Sequence, residues 1–307
     1  MAIWGVDSVE AANSDVRIRG SNPGEKLFDF VQRQLGEPPY FWGRYLNERP
    51  ERRPSKLMDP ECNYIFNQTN AQGGRVRILL VYNDITPDQC AVEGNVGYSL
   101  GKIAAQNACR LARELDVPPD VRIYADLEGW IASPSWIRGW WNAMAESEFA
   151  GIGGLYGRGV ERLNVRGART LRFQDVDPLL TGRPVPWLPA RQRYLHSGWS
   201  ANIPQAEDQQ FDRWVLGPLL EGAPQTSLPP IYVWSNTPRR WCPTRPRIEE
   251  QFRGVGPIGA YTVIWQYYFG CFRRTRVSDD GRISHPALFD MDLATEMGYR
   301  DMWDGTT

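Results

Sequence analysis

The sequence predicts an α/β fold built as a single (β/α) barrel of the TIM-barrel type, somewhat irregular or flattened. Three observations carry that expectation. Short apolar runs alternate with helical patterns about eight times, which favours a barrel over an open sheet. Several of the runs end in acids, where such a barrel gathers its chemistry. The 307 residues are enough for one large barrel with a sizeable core, although length alone also admits two ordinary domains.

Strands are expected at 3–7, 40–46, 76–82, 121–127, 151–156, 193–198, 230–234 and 261–267. Each is a short run of β-branched and aromatic residues. After Asn22, the stretch PGEKLFDFVQRQLG has Pro at a first helical position and Glu25 three residues past the Asn. It places Leu27, Phe28, Val31 and Leu35 on one face and ends at Gly36, which marks a helix. From Tyr98 to Asp116, the residues Leu100, Ile103, Ala104, Ala108, Leu111 and Leu115 keep helical spacing until Pro118 and Pro119 stop it. Weaker helical patterns fall at 60–71, 134–147, 206–217 and 246–253. The stretches 157–192 and 222–246 are rich in Pro, Gly and Arg and are expected as long loops, which in a compact domain are more often functional than idle. No repeat or linker divides the chain, so one domain over 1–307 is the simpler expectation.

Charge is nearly balanced, with 35 Lys and Arg against 36 Asp and Glu. That leaves no field to attract nucleic acid or an anionic membrane, and neither is expected as a partner. No stretch approaches the ~18 apolar residues of a membrane span. The start MAIWGVDSVE lacks a basic region followed by an apolar run, so the chain is expected to stay in the cytoplasm where it is made unless exported or delivered. The 13 Trp and 13 Tyr suit carbohydrate stacking as well as core packing. Five cysteines with no CxxC spacing support neither a disulfide framework nor a zinc site, so buried free thiols are expected, with no metal and no cofactor.

The chemistry is concentrated in acids that close apolar runs. IWGVD ends in Asp7, IYADLE in Asp126 and Glu128, and the late FDMD carries Asp290 and Asp292. One isolated acid at a strand end is best explained by solvent. A pair two residues apart on a strand shares a face, and crowding like charges raises one pKa, which leaves a protonated acid beside a carboxylate as glycoside hydrolysis requires. The Cα separation of such a pair, ~6.5–7 Å, lies between the values for retaining and inverting enzymes. Other schemes fit poorly. There are two histidines, His196 and His285, there is no GxSxG elbow, and YGRGVERLNVRG matches no nucleotide loop.

IWGVDS, FWGRYL, ILLVYNDI, GYSLGKIAAQNACRLARELDVP leading into IYADLEG, then GGLYGRGV, IWQYY and FDMD resemble, in order and over nearly the whole chain, the glycoside hydrolase-like domains related to the family 25 lysozymes, or muramidases. The resemblance implies an irregular, flattened β/α barrel that cleaves peptidoglycan. Carried over, Glu128 is the general acid. Asp126 orients the sugar's N-acetyl group or stabilises oxocarbenium-like charge, and Asp7 with Asp290 or Asp292 holds the site's hydrogen bonds. Arg44, Tyr82, Tyr156, Trp234, Gln266 and Tyr267, at or near strand ends, are expected to line the substrate. The stretch 167–194 has no counterpart in the compact lysozymes, and no wall-binding repeat is recognisable. Two other functions are therefore carried forward: a non-catalytic glycan-binding or interaction protein on the same barrel, and an antibacterial effector brought to the wall by a delivery or lysis machine.

Overall fold

A computed structural model describes residues 3–18, 20–49, 55–127, 132–149, 153–157, 232–235, 240–243, 245–251, 262–272, 276–277, 283–284 and 287–306. Glu128, His196, His285, the strand expected at 193–198, the helix expected at 206–217 and the loop expected at 157–192 lie outside them, apart from Gly157.

The described strands are β1 (Ile3–Asp7), β2 (Phe41–Leu46), β3 (Arg77–Tyr82), β4 (Ile123–Asp126), β5 (Gly154–Gly157), β6 (Tyr232–Ser235), β7 (Arg240–Trp241), β8 (Thr262–Cys271), β9 (Arg276–Val277), β10 (Ile283–Ser284) and β11 (Phe289–Ala294). The helices are α1 (Leu27–Leu35), α2 (Asp59–Phe66), α3 (Pro87–Cys90), α4 (Gly94–Arg113), α5 (Pro134–Glu146) and a last short helix, α6 (Glu296–Arg300). Strands β1 to β6 and β8 pair in parallel, in the order β1-β2-β3-β4-β5-β6-β8, and β7 pairs in parallel with the later part of β8, on the same edge as β6. Strand β11 pairs with both β1 and β8, antiparallel to each. The result is a curled, barrel-like mixed sheet rather than the closed TIM barrel of parallel strands that the sequence predicts. The closing strand is the FDMD segment, which the apolar runs mark as an acid-bearing stretch but not as a strand of opposite direction. Within the stretch 222–246, expected as a loop, β6 matches the strand expected at 230–234 and β7 is an added strand.

Strand alternation sorts the side chains into an inward and an outward set. Asp7 pairs with Gly43, Gly43 with Leu79, Tyr124 with Gly154, and Asp126 with Tyr156, so these residues share the inward face. Gly5 and Gly154 make room for inward rings, since a Cβ on either would fall 2.5–2.6 Å from the ring of Phe41 or Tyr124. The outward face is covered by helices. Phe28 of α1 packs on Trp42 with ring centroids 5.6 Å apart, and Trp140 of α5 stacks on Tyr82 at 6.2 Å. Helix α1 ends at Gly36 with the left-handed φ of 87° that its sequence anticipates, but it begins at Leu27, later than expected. Glu25 instead accepts from the Asn22 amide and from Arg33 Nε at 2.6 Å, which fixes a turn ahead of the helix. Helices α4 and α5 meet backbone to backbone. A Cβ on Gly101 would lie 2.0 Å from the Trp136 carbonyl oxygen, and one on Gly139 would lie 2.0 Å from that of Tyr98. The helix expected at 246–253 is absent over its described residues, 246–251. There the Glu249 amide donates to the Tyr267 hydroxyl, which donates to the Arg247 carbonyl, so the backbone is spent on Tyr267 rather than on a helical turn.

Cys242 and Cys271 form a disulfide, with Cα atoms 4.9 Å apart, which corrects the expectation of free thiols throughout. Cys62, Cys90 and Cys109 are free and buried.

Candidate active site

The parallel strands deliver Asp7, Tyr45, Asp126, Tyr156 and Trp234 to their C-terminal ends on the inward face. Because β11 runs the other way, its first residues arrive at the same end, and Asp290 sits directly across from Asp7. Asp292 is one step deeper, opposite Gly5 on one side and Gln266 of β8 on the other.

These groups form one hydrogen-bonded unit. Gln266 Nε2 donates to Asp7 Oδ1 at 3.1 Å and to Asp290 Oδ2 at 2.9 Å, while its Oε1 accepts from the Tyr156 hydroxyl at 3.5 Å. The Tyr45 hydroxyl donates to Asp7 Oδ2 at 3.1 Å. Trp234 Nε1 donates to Asp292 Oδ1 at 2.9 Å, and the Gly270 amide to Asp290 Oδ1 at 2.6 Å. Gln266, Asp292 and Trp234 are wholly buried, Asp7 and Asp126 nearly so, and Asp290 is half-buried at the rim.

The protonation state follows from this burial. Asp292 Oδ2 has no donor if both carboxyls are ionised, and a lone buried carboxylate oxygen is costly. Burial, and next the charge of Asp7 beside it, hold the Asp292 carboxyl well above the ordinary carboxylate value. Burial raises Asp7 too, but hydrogen bonds from Asp292, Gln266 and Tyr45 oppose the rise. A single proton on Asp292, donated to Asp7, satisfies both groups. The pair is thus a neutral acid beside a carboxylate, the two-carboxyl state the sequence assigned to Asp126 and Glu128. Among the described residues no group of three or more His, Cys, Asp and Glu is arranged to hold a metal ion.

Of the expected site residues, the structure brings together Asp7, Asp290, Asp292, Tyr156, Trp234 and Gln266, with Asp126 on the same face. Glu128 lies outside the described residues. Three expected lining residues face the other way. Arg44 is wholly buried outside the sheet, with Nε 2.7 Å from Glu61 Oε1 of α2 and a hydrogen bond to the Ser8 carbonyl, so it is a structural ion pair. Tyr82 stacks on Trp140 of α5, and burial, reinforced by the charge of Asp84, pushes its phenol up to about 12. Tyr267 holds the 247–249 segment, and burial raises its phenol well above the usual value. Each is one residue out of phase with an inward neighbour: Tyr45, Val81 or Gln266. Tyr45 was missed, and strand parity with Asp7 through Gly43 would have found it. Gly43 was missed as well. A Cβ there would fall 2.6 Å from the Asp7 Cβ and 3.4 Å from the Trp234 ring, so glycine lets both reach the centre.

No family model matches the chain, and no curated protein matches it. Among solved structures, an uncharacterized B. stearothermophilus protein is similar over 98% of this chain and 100% of that one, at 22% identity and a TM-score of 0.57. The Mycobacterium tuberculosis Tat-secreted protein Rv2525c, crystallised with L-tartrate and with HEPES, aligns over 95% of each chain at 10% and 11% identity and a TM-score of 0.42. What this chain shares with the B. stearothermophilus protein is its curled α/β fold.

Proposed function

We propose that the protein is a glycoside hydrolase that cleaves peptidoglycan glycan strands in the manner of a muramidase, on a flattened relative of the TIM barrel. The observation that carries this reading is the convergence of Asp7, Asp290 and Asp292 on Gln266 at one end of the sheet, beside Asp126, Tyr156 and Trp234. In this reading Glu128, two residues beyond Asp126, protonates the leaving glycosidic oxygen. Asp126 steadies the substrate's N-acetyl group or the positive charge that grows at the anomeric carbon. The Asp7 carboxylate adds a fixed negative potential in a water-poor site, where it acts more strongly than in solvent. Asp292 keeps its proton and holds Asp7 in place. The Cys242–Cys271 disulfide fits work outside the reducing cytoplasm, where peptidoglycan lies.

The test is release of reducing ends from purified peptidoglycan by the full chain. Glu128→Gln should lower the rate ~10²–10⁴-fold, the usual weight of a general acid, with the fold unchanged by circular dichroism. Undiminished turnover in that variant overturns the reading.

A second reading, a glycan-binding protein without turnover, is favoured by one feature. Trp234 stands wholly buried among the acids, 4.1 Å from the Tyr156 ring and in edge contact with Tyr124, and so fills space a sugar would need. Saturable binding of wall oligosaccharides with no reducing ends, from several wall types, would select it.

A further inference from the structure

On the outward face of the sheet, away from the carboxylates, a cleft of about 310 Å³ opens between the segment after β3, helix α3 and helix α4. That volume is at the small end of ligand clefts, about 300–1,000 Å³. Its floor is apolar: Tyr82 at the end of β3, Trp136 of α5, and Leu100 and Ile103 of α4, of which Ile103 is half exposed. Its wall carries Asp84, whose side chain is only 9% exposed.

Asp84 is half satisfied. Its Oδ2 accepts from the Glu48 amide at 2.6 Å, but its Oδ1 is buried and has no hydrogen bond among the described residues. Among the described residues the nearest cation, Arg49 Nε, is 4.0 Å away, too long for one, and Arg49 Nη2 is engaged with Gln89 Oε1 at 3.2 Å. The Glu48 side chain is taken by Arg110. A buried carboxylate oxygen left without a donor is expensive, and one lining an open cleft is offered to a ligand. Water would satisfy the oxygen without covering Leu100 and Ile103. A donor on an apolar body does both.

We propose that this cleft is a second binding site, for a small organic cation: a primary ammonium or guanidinium that donates to Asp84 Oδ1 and lays a short apolar stem over Leu100, Ile103 and Trp136. The proposal is independent of the glycosidase reading, because none of these residues takes part in the carboxylate network.

The test is calorimetric titration of the full chain with phenethylammonium and with its neutral counterpart 2-phenylethanol. The ammonium should bind saturably and at least about tenfold more tightly than the alcohol, the weight of one charged hydrogen bond. Asp84→Asn keeps an oxygen for the Glu48 amide and should lose that preference. Ile103→Trp fills the mouth of the cleft without touching Asp84 and should abolish binding, with the melting temperature of each variant measured alongside. If Asp84→Asn fails to fold, the alcohol comparison and Ile103→Trp decide. Absence of saturable binding, equal affinity for the alcohol, or undiminished binding in either folded variant overturns the proposal.

Discussion

The proton shared by Asp7 and Asp292 is the most testable detail at the scale of single residues. An unfolded Asp292 titrates near 3.8, while the folded one keeps its proton to higher pH because it is buried beside Asp7. Between those two values the unfolded chain binds fewer protons than the native one, so stability is fully present below 3.8 and falls as pH rises toward the folded value. Asp292→Asn mimics the protonated state and can still accept from Trp234. Denaturant midpoints from about pH 4 to about pH 8 should therefore decline in the parent and stay flatter in the variant. Equal slopes would put the proton elsewhere. The acids of this site were legible because each closes an apolar run. Arg44, Tyr82 and Tyr267 were misplaced for a physical reason: strands buried on both faces are apolar throughout, so composition does not reveal which parity points inward. Only pairing does, through contacts such as Gly43 with Asp7.

Among the elements, α4 and α5 show how strongly packing can override propensity. In an exposed helix, Gly→Ala is favourable by up to about 1 kcal/mol. At Gly139 the added carbon would meet the Tyr98 carbonyl oxygen at 2.0 Å, and the neighbouring backbone offers no room to shift. Gly139→Ala should instead destabilise by about 1–3 kcal/mol, as overpacking does, with the loss read as a lowered denaturant midpoint at unchanged m-value. A stabilised variant would refute the close helix contact. The long helix itself was legible from its period and α5 as a weaker helical pattern, and the structure adds Ser133, which caps α5 by accepting from the Trp136 amide at 3.0 Å. The strap at 245–251 was not, because its backbone partner is Tyr267, 18 and 20 residues away in sequence from Glu249 and Arg247.

At the scale of the whole molecule, the alternation of strand and helix from β1 to β5 was legible, but the closing strand and its direction were not. Apolar periodicity is the same for a parallel and an antiparallel strand. The Cys242–Cys271 bridge joins residues 29 apart and secures the β7 side of β8. Chain-entropy reasoning assigns such a loop about 3–4 kcal/mol. Reduction under native conditions should expose the half-buried Cys242 thiol to labelling and lower the melting temperature, while the buried Cys271, Cys62, Cys90 and Cys109 stay unlabelled until unfolding. Labelling of five thiols in the folded state would contradict this burial.

Strand β11 joins residues 3–7 to residues 290–294, and this dictates an order of events during synthesis. A ribosome emits Asp290 283 residues after Asp7, so the two halves of the site stay apart while all of that stretch is made. Pairings so distant in sequence make folding slow, and the nascent barrel waits with an open edge beside β1. A fragment that stops short of residue 289 has Asp7 without Asp292 and its proton, so any catalysis by this end of the sheet would begin only after β11 has been made.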